Sequence, residues 1–410
     1  MFPTLLFLCL AITTHPRGDA IDGKGIFGTT AHDGTWVAIQ KDGSAGTVDS
    51  AALQTISSDS WPGWRAIVLA RPESFFRDPS TRSMMELDDG QRVAGGFELV
   101  NRSLQWRSRE LGMVAVNLER LSWIGPTAIA AEASPERDRV LLINGDRVDG
   151  FVNSLQAERG VEVEVPNTTG DPKKTSMWFD LARVASIRLA ARTTPPTGWR
   201  FWLVDGTVVD ADHWKKLESN LAIQGCHLEG VDPSTVISWD QVLAVQPLNT
   251  PVVAMSSIVW STADETPQQR LTPARVRLSR SLGPLNMRDV DLLGPGTFTA
   301  TIPEGTWLLN LQLESTPTLA HYTDCTIRVL DGEKEIMTEH WTSLTPPRHL
   351  QIPLHGRTLT VVISNSAQGA FGAAIQLKDG LLISMTEAAI PATPPHPTAP
   401  TSPQAGSSLE

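Results

Sequence analysis

"VLLINGDRVDGFVNSL", Val140 to Leu155, decides how this chain is read, because "FWLVDGTVVDAD", Phe201 to Asp212, restates its pattern. Aligned with "LDDGQRVAGGFELV" from Leu87, the segments superpose Gly90, Gly145 and Gly206. Three residues on come Val93, Val148 and Val209, and two further come the small residues Gly95, Gly150 and Ala211. Asn-Gly and Asp-Gly accept the positive φ of a tight hairpin turn, so each segment reads as a β-hairpin apex. A small residue on the inward face of the second strand lets that strand bend sharply or another backbone approach it.

A second signature follows each hairpin. Leu118, Leu121 and Ile124 recur as Leu181, Val184 and Ile187, and again as Trp239, Val242 and Val245. With strands such as "VEVEV" before them, these spacings predict a strand, one short helical turn and a closing strand. Five short strands of this kind make a small Sm-like or SH3-like barrel, and apex spacings of 55 and 61 residues suit such a unit. A fourth, degenerate copy begins at "WVAIQKDGSAGTV", Trp36 to Val48.

After "NTPVVAMSSIVWSTADETPQQRLTP", Asn249 to Pro273, the texture changes. About eight strand candidates run from Ala274 to Met385, among them "TWLLNLQLES", "RHLQIPL" and "TLTVVIS", with no helical periodicity between them. That predicts an antiparallel β-sandwich, a jelly roll. The expected organisation is a leader over 1–20 and an N-terminal β region with the degenerate and first repeats over 21–130. Barrel repeats over 136–190 and 198–250 follow, then a linker over 251–273, the sandwich over 274–386 and a Pro-rich tail over 387–410.

Composition bounds the function. The 410 residues carry a net charge of −11, which argues against a nucleic-acid partner, since a basic face is expected for phosphate binding. "LLFLCLAI", Leu5 to Ile12, followed by "GDA" at Gly18 to Ala20, reads as a secretory leader, and no other stretch is long enough to span a bilayer. The expected location is therefore secreted, periplasmic or cell-surface. Three cysteines are too few for a disulfide framework, and Cys226 and Cys325 read as buried thiols.

The stretches "RDRVLLINGDRVDGFVNSL", "FWLVDGTVVDA", "VLAVQPLNTPVV" and "FTATIPEGTWLLNLQLES" through "TLTVVIS" resemble secreted planctomycete proteins. Those proteins carry Sm-like repeats and a C-terminal domain of the NPCBM carbohydrate-binding-module type. The resemblance covers about Val140 to Met385 and implies a galactose-binding-like sandwich that binds glycans. This chain departs from that pattern twice. "GPLNMRDVDLLGPGT" lacks the family's Gly-x-Gly-x-His-Ser stretch, and "GAFGAAIQLKDGLL" stands where Asp-x-Ala-Asp-Trp is usual, so no motif residue carries over.

Of 13 Trp, 11 lie at or before Trp260, where core packing accounts for most of them. In the sandwich Trp341, Tyr322 and His340 form the candidate ligand-binding set, with Trp307 reading as buried. "HWTSLTPPRH", His340 to His349, with His355 beyond it, matches no metal-ligand spacing. Asp210, Asp212 and His213 form a candidate cation group, although a polar outer face beside a hairpin predicts the same residues. No nucleophile motif, metal signature, nucleotide fingerprint or cofactor site is present in the sequence, so a non-enzyme without cofactor or metal is expected. The resulting expectation is a secreted multi-module protein that binds a glycan or an envelope protein. The competing expectation is a structural envelope component with no soluble ligand. A glycoside-processing enzyme ranks third, since no segment remains for a catalytic domain.

Overall fold

A computed structural model of the chain describes residues 35–69, 83–101, 103–126, 136–165, 175–190, 194–249, 252–264, 273–279, 283–365 and 372–385. The expected leader and the Pro-rich tail lie outside the described residues. The fold is all-β with antiparallel pairing, and the one α-helix among the described residues, α1, is the five-residue Ser50–Gln54.

The N-terminal unit comprises β1 (Trp36–Ile39), β2 (Ala45–Thr47) and β3 (Ala66–Leu69). Its hairpin turns at Gly43 with φ +76°, and β3 returns to pair with β1. The stretch expected to hold a degenerate copy thus forms three strands in place of the five of a full repeat.

The first full repeat holds β4 (Ser83–Leu87), β5 (Arg92–Val100), β6 (Ser103–Ser108), β7 (Gly112–Ala115) and β8 (Leu121–Pro126). The second holds β9 (Asp138–Leu142), β10 (Arg147–Gln156), β11 (Gly160–Val165), β12 (Thr175–Phe179) and β13 (Val184–Arg188). The third holds β14 (Trp199–Leu203), β15 (Val208–Leu217), β16 (Asn220–Cys226), β17 (Val236–Ser238) and β18 (Val242–Pro247). In each, the first strand pairs with the second and with the last, while strands two to four form a meander.

The apex glycines have the positive φ that the repeat requires: +82° at Gly90, +90° at Gly145 and +91° at Gly206. The long second strand divides its pairing at the small residue. Arg92 to Gly95 pair with β4 and Gly96 to Val100 with β6, and Gly150 and Ala211 sit at the corresponding change of partner. A Cβ on Gly95 would lie 2.1 Å from the Arg107 carbonyl oxygen, and one on Gly150 2.5 Å from that of Glu164. Short 3₁₀ turns at Leu181–Arg183 and Trp239–Gln241 lead into the closing strands, as the second signature predicts. Leu121, Ile124, Ile187, Val242 and Val245 are buried in one core cluster shared by all the repeats.

The repeats also pair with each other. Closing strands β8 and β13 meet at Ile124 and Ile187, and β18 meets β3 at Val245 and Ile67. A buried polar network fastens the first repeat to the third. Arg200 donates from Nε and Nη2 to the two carboxylate oxygens of Asp210 at 2.7 Å each, and Nη2 also reaches the Asp89 carbonyl at 2.7 Å. Gln91 accepts from the Asp210 backbone N–H at 2.8 Å and donates to the Asp89 carboxylate at 2.8 Å, which Arg120 also contacts. Between the N-terminal unit and the third repeat, Trp36, Trp61, Trp64, Trp199, Trp214 and Trp239 pack ring against ring, with centroids 4.9 to 6.4 Å apart. Tryptophan here builds core, as expected.

The C-terminal sandwich packs a six-stranded sheet on a five-stranded one. Its strands are β19 (Val252–Ala254), β20 (Trp260–Asp264), β21 (Arg275–Leu278), β22 (Val290–Leu293), β23 (Gly296–Thr301) and β24 (Trp307–Ser315). They continue with β25 (Asp324–Asp331), β26 (Lys334–Thr342), β27 (Arg348–Leu354), β28 (Thr358–Ser364) and β29 (Ala374–Ser384). The six-stranded sheet runs β21, β22, β29, β24, β27, with β19 also on β29, and the other runs β20, β23, β28, β25, β26. The expected linker over 251–273 is corrected here. β19 pairs with β29 and β20 with β23, so this segment supplies a strand to each layer. Its polar texture misleads because β20 is an edge strand whose Ser261 to Asp264 face solvent.

The sandwich is seated on the repeats. Val37, Ile39, Val68, Trp202 and Leu243 pack with Leu285, Met287, Leu381 and Ile383 in one buried cluster. Leu285 and Asn286 both adopt left-handed backbone, φ +56° and +60°, in the loop that enters this seam. Such a conformation costs a leucine roughly 1–2 kcal/mol, which burial of its side chain offsets. Asn286 Oδ1 accepts from Arg92 and, at 3.4 Å, from Trp202 Nε1, and its carbonyl accepts from Ser256 Oγ at 3.1 Å.

Candidate functional site

The three sequence-predicted ligand residues do not form a platform. Trp341 is 0% exposed, inside the sandwich core, and its indole N–H donates to Ser315 Oγ at 3.2 Å. The alternation along β26 turns it inward, so its faces are closed to any ligand, and its expected stacking role is corrected. Tyr322 is 60% exposed in a 3₁₀ turn, and His340 lies on the outer side of β26 with Nε2 3.2 Å from Asp324. The histidine loop also comes apart. His340 belongs to the five-stranded sheet and His349 to the six-stranded one, while the His355 backbone N–H donates to Asp331.

The proposed cation group is likewise committed elsewhere. Asp210 is held by Arg200, and Asp212 Oδ1 accepts from His227 Nε2 at 2.9 Å. Among the described residues no group of three or more His, Cys, Asp or Glu is placed to hold a metal ion. Cys226 sits in the third repeat and Cys325 in the sandwich core, both as free thiols, pushed up by burial to about 11 and about 12. No described helix is long and apolar enough to cross a membrane.

What the strands do assemble is a polar row on the outer face of the six-stranded sheet. In β24, Leu309, Leu311 and Leu313 point into the core, so Gln312 and Glu314 point out. The same alternation turns His349 and Gln351 outward in β27, Gln376 and Lys378 in β29, and Asp291 in β22. Register aligns them: Arg277 opposite Asp291, Asp291 opposite Gln376, Gln376 opposite Glu314, and Gln312 between Lys378 and His349. Five neighbouring strands about 4.8 Å apart make the row roughly 19 Å long.

Hydrogen bonds fix its geometry. Arg277 donates from Nε and Nη2 to Asp291 Oδ2 at 2.9 and 2.6 Å, and Gln376 Nε2 donates to Asp291 Oδ1 at 2.7 Å. Gln312 Nε2 donates to Glu314 Oε2 at 2.8 Å. Burial lowers the pKa of His349 from its ordinary value, with the Glu314 charge acting in the opposite direction. The imidazole is therefore neutral at neutral pH and offers one donor and one acceptor. Amides, two carboxylates, an imidazole and an ammonium on one sheet face offer both donors and acceptors to a hydroxyl-bearing ligand.

Sequence alone does not single out the row, although "LLNLQLES", "RHLQIPL" and "AIQLKDG" carry its alternation openly. What those stretches lack is the register between strands up to about a hundred residues apart.

No protein-family model matches the chain, and no curated protein matches it. Among solved structures it is similar to the CBM51-2 and INT domains of Clostridium perfringens ZmpB in complex with GlcNAc. That match has 9% identity and a TM-score of 0.27, covering 42% of this chain and 37% of the other. It is similar to a CBM51 from Clostridium perfringens GH95 in complex with methyl-galactose, at 13% identity and TM-score 0.26, covering 32% of this chain and 99% of that one. A third is the tandem CBM51 modules of the family 98 glycoside hydrolase of Streptococcus pneumoniae, at 9% identity and TM-score 0.26, covering 85% and 88%.

Proposed function

We propose that this chain is an exported, non-enzymatic binding and scaffolding protein of the cell envelope, whose sandwich takes a glycan on its outer polar row. In this reading the five-stranded repeats are Sm-like units that hold the sandwich in place, and the sandwich is a divergent module of the NPCBM type. The observation that carries it is the alignment of Asp291, Gln376, Glu314, Gln312 and His349 across adjacent strands of one sheet face. Of these, Gln312, Glu314 and His349 are half-buried and within reach of a ligand, while Asp291 and Gln376 are themselves buried and brace the row from one end.

The test is binding of the whole chain to an oligosaccharide array, beside the variants Glu314→Ala and His349→Ala. Each removes a hydrogen-bonding group without touching the core, and each is expected to weaken binding tenfold or more, the scale of one or two charged or neutral hydrogen bonds. Array binding unchanged in both variants would remove the row from the account. One observation favours a second reading, a structural component without soluble ligand: the loop carrying Leu285 and Asn286 is buried against the repeats. Complete silence on the array would support that reading.

A further inference from the structure

A second site lies far from the row in sequence, where three repeats converge on a cleft of about 420 Å³. Its lining comes from β6 and the β7–β8 connection of the first repeat, from β10 of the second, and from the loop after β16 of the third. It exists only because the repeats are packed together, and its size falls within the roughly 300–1,000 Å³ of small-ligand sites.

The chemistry of the lining restricts the ligand. Glu229 is anchored at its backbone, where its carbonyl accepts from the Ala115 N–H at 2.8 Å. Its Oε1 accepts from Asn117 Nδ2 at 3.0 Å, which leaves Oε2 to accept from a ligand. Asn117 Oδ1 is taken by the Glu119 N–H at 2.9 Å, and Asn153 Nδ2 donates to Glu164 at 3.3 Å, so its Oδ1 remains as an acceptor. Ser154 Oγ already accepts from Gln156 Nε2 at 3.0 Å and keeps its hydroxyl proton to give. No lysine or arginine is among the described residues that line the cleft. Acceptors, one carboxylate and the serine hydroxyls thus face a ligand that both donates and accepts, and the carboxylate without a facing cation disfavours phosphates, sulfates and uronates. Leu104 and Leu155 supply apolar wall between these polar groups. A flat C–H face bordered by hydroxyl donors matches both features.

We propose that this cleft is a second binding site for a neutral saccharide, formed jointly by three repeats and independent of the sandwich. It is tested with the full chain on an array of neutral oligosaccharides, followed by calorimetric titration of the strongest, with spermidine and oligogalacturonate as charged comparisons. The variants are Glu229→Ala, which removes the free acceptor, and Ser103→Met, which fills the cleft from an exposed position. Both sites are at the surface, and an unchanged denaturation midpoint checks that the variants fold. At least one neutral oligosaccharide is expected to lose tenfold or more in affinity in both variants and to keep its affinity in Glu314→Ala. Loss in Glu314→Ala alone would place binding on the row and overturn the cleft. So would binding of no neutral oligosaccharide, or a cleft-dependent response to spermidine or oligogalacturonate only.

Discussion

Replacing Asp210 by Ala is expected to cost about 3–5 kcal/mol of folding stability, the usual scale for stripping one partner from a buried ion pair. Asp210 is wholly inaccessible, and the Arg200 side chain is 7% exposed. Without the carboxylate, Arg200 keeps only the Asp89 carbonyl, and its charge stands uncompensated between two repeats. The effect is measured as a shift in the urea midpoint at constant slope. A double replacement, Arg200→Met with Asp210→Leu, is expected to recover most of the loss, because it removes both desolvation costs together. The direction of the Asp210 pKa shift agrees with this. Burial raises it from 3.8, with Arg200 pulling the other way. A raised folded value means that stability tied to this group is full below 3.8 and declines as pH rises through the folded pKa. Equal stability of Asp210→Ala and the native chain would show that the network does not join the repeats.

The second large effect separates two adjacent glycines. Gly95→Val is expected to destabilise the chain by about 3 kcal/mol, the upper end for overpacking, since the atom it meets is backbone and cannot step aside. Its Cβ would sit 2.1 Å from the Arg107 carbonyl oxygen and 2.8 Å from Trp106 Nε1. That indole N–H donates to the Val93 carbonyl at 3.1 Å and closes the bend. Gly96→Val should be tolerated within about 0.5 kcal/mol, the range of ordinary surface changes, because nothing lies within 4 Å of its Cβ. Equal responses at the two positions would contradict the sharp bend that defines the repeat. Denaturant midpoints of the two variants, side by side, decide it.

The repeat was legible because its information is local. A turn glycine, a small residue five positions on and an apolar triplet each dictate conformation within a few residues, and all three full copies fold accordingly. The Asp-Gly at Gly43 also turns a hairpin, with φ +76°. Long-range pairing was not legible. The strands at Val252–Ala254 and Trp260–Asp264 are short, and their partners are 127 to 131 and 32 to 40 residues away. Trp341 shows a different limit. An aromatic residue beside exposed polar ones is compatible with either face of a strand, and the inward one is taken. His340 and His349 are close in sequence, yet the connection between them crosses from one layer to the other. The polar row could be named only once register had placed residues from five strands together.

The sandwich is seated on the repeats, and a pair of cysteines tests that contact. A Cβ at Gly43, in the first hairpin, would lie 3.5 Å from that of Leu308 in the sandwich, within the range a disulfide spans. Gly43→Cys with Leu308→Cys should close a bridge under mild oxidation, read by mass spectrometry as a cross-linked peptide pair and two lost hydrogens. Two free thiols at positions 43 and 308 after oxidation, in a chain that still folds, would mean that sandwich and repeats do not meet there.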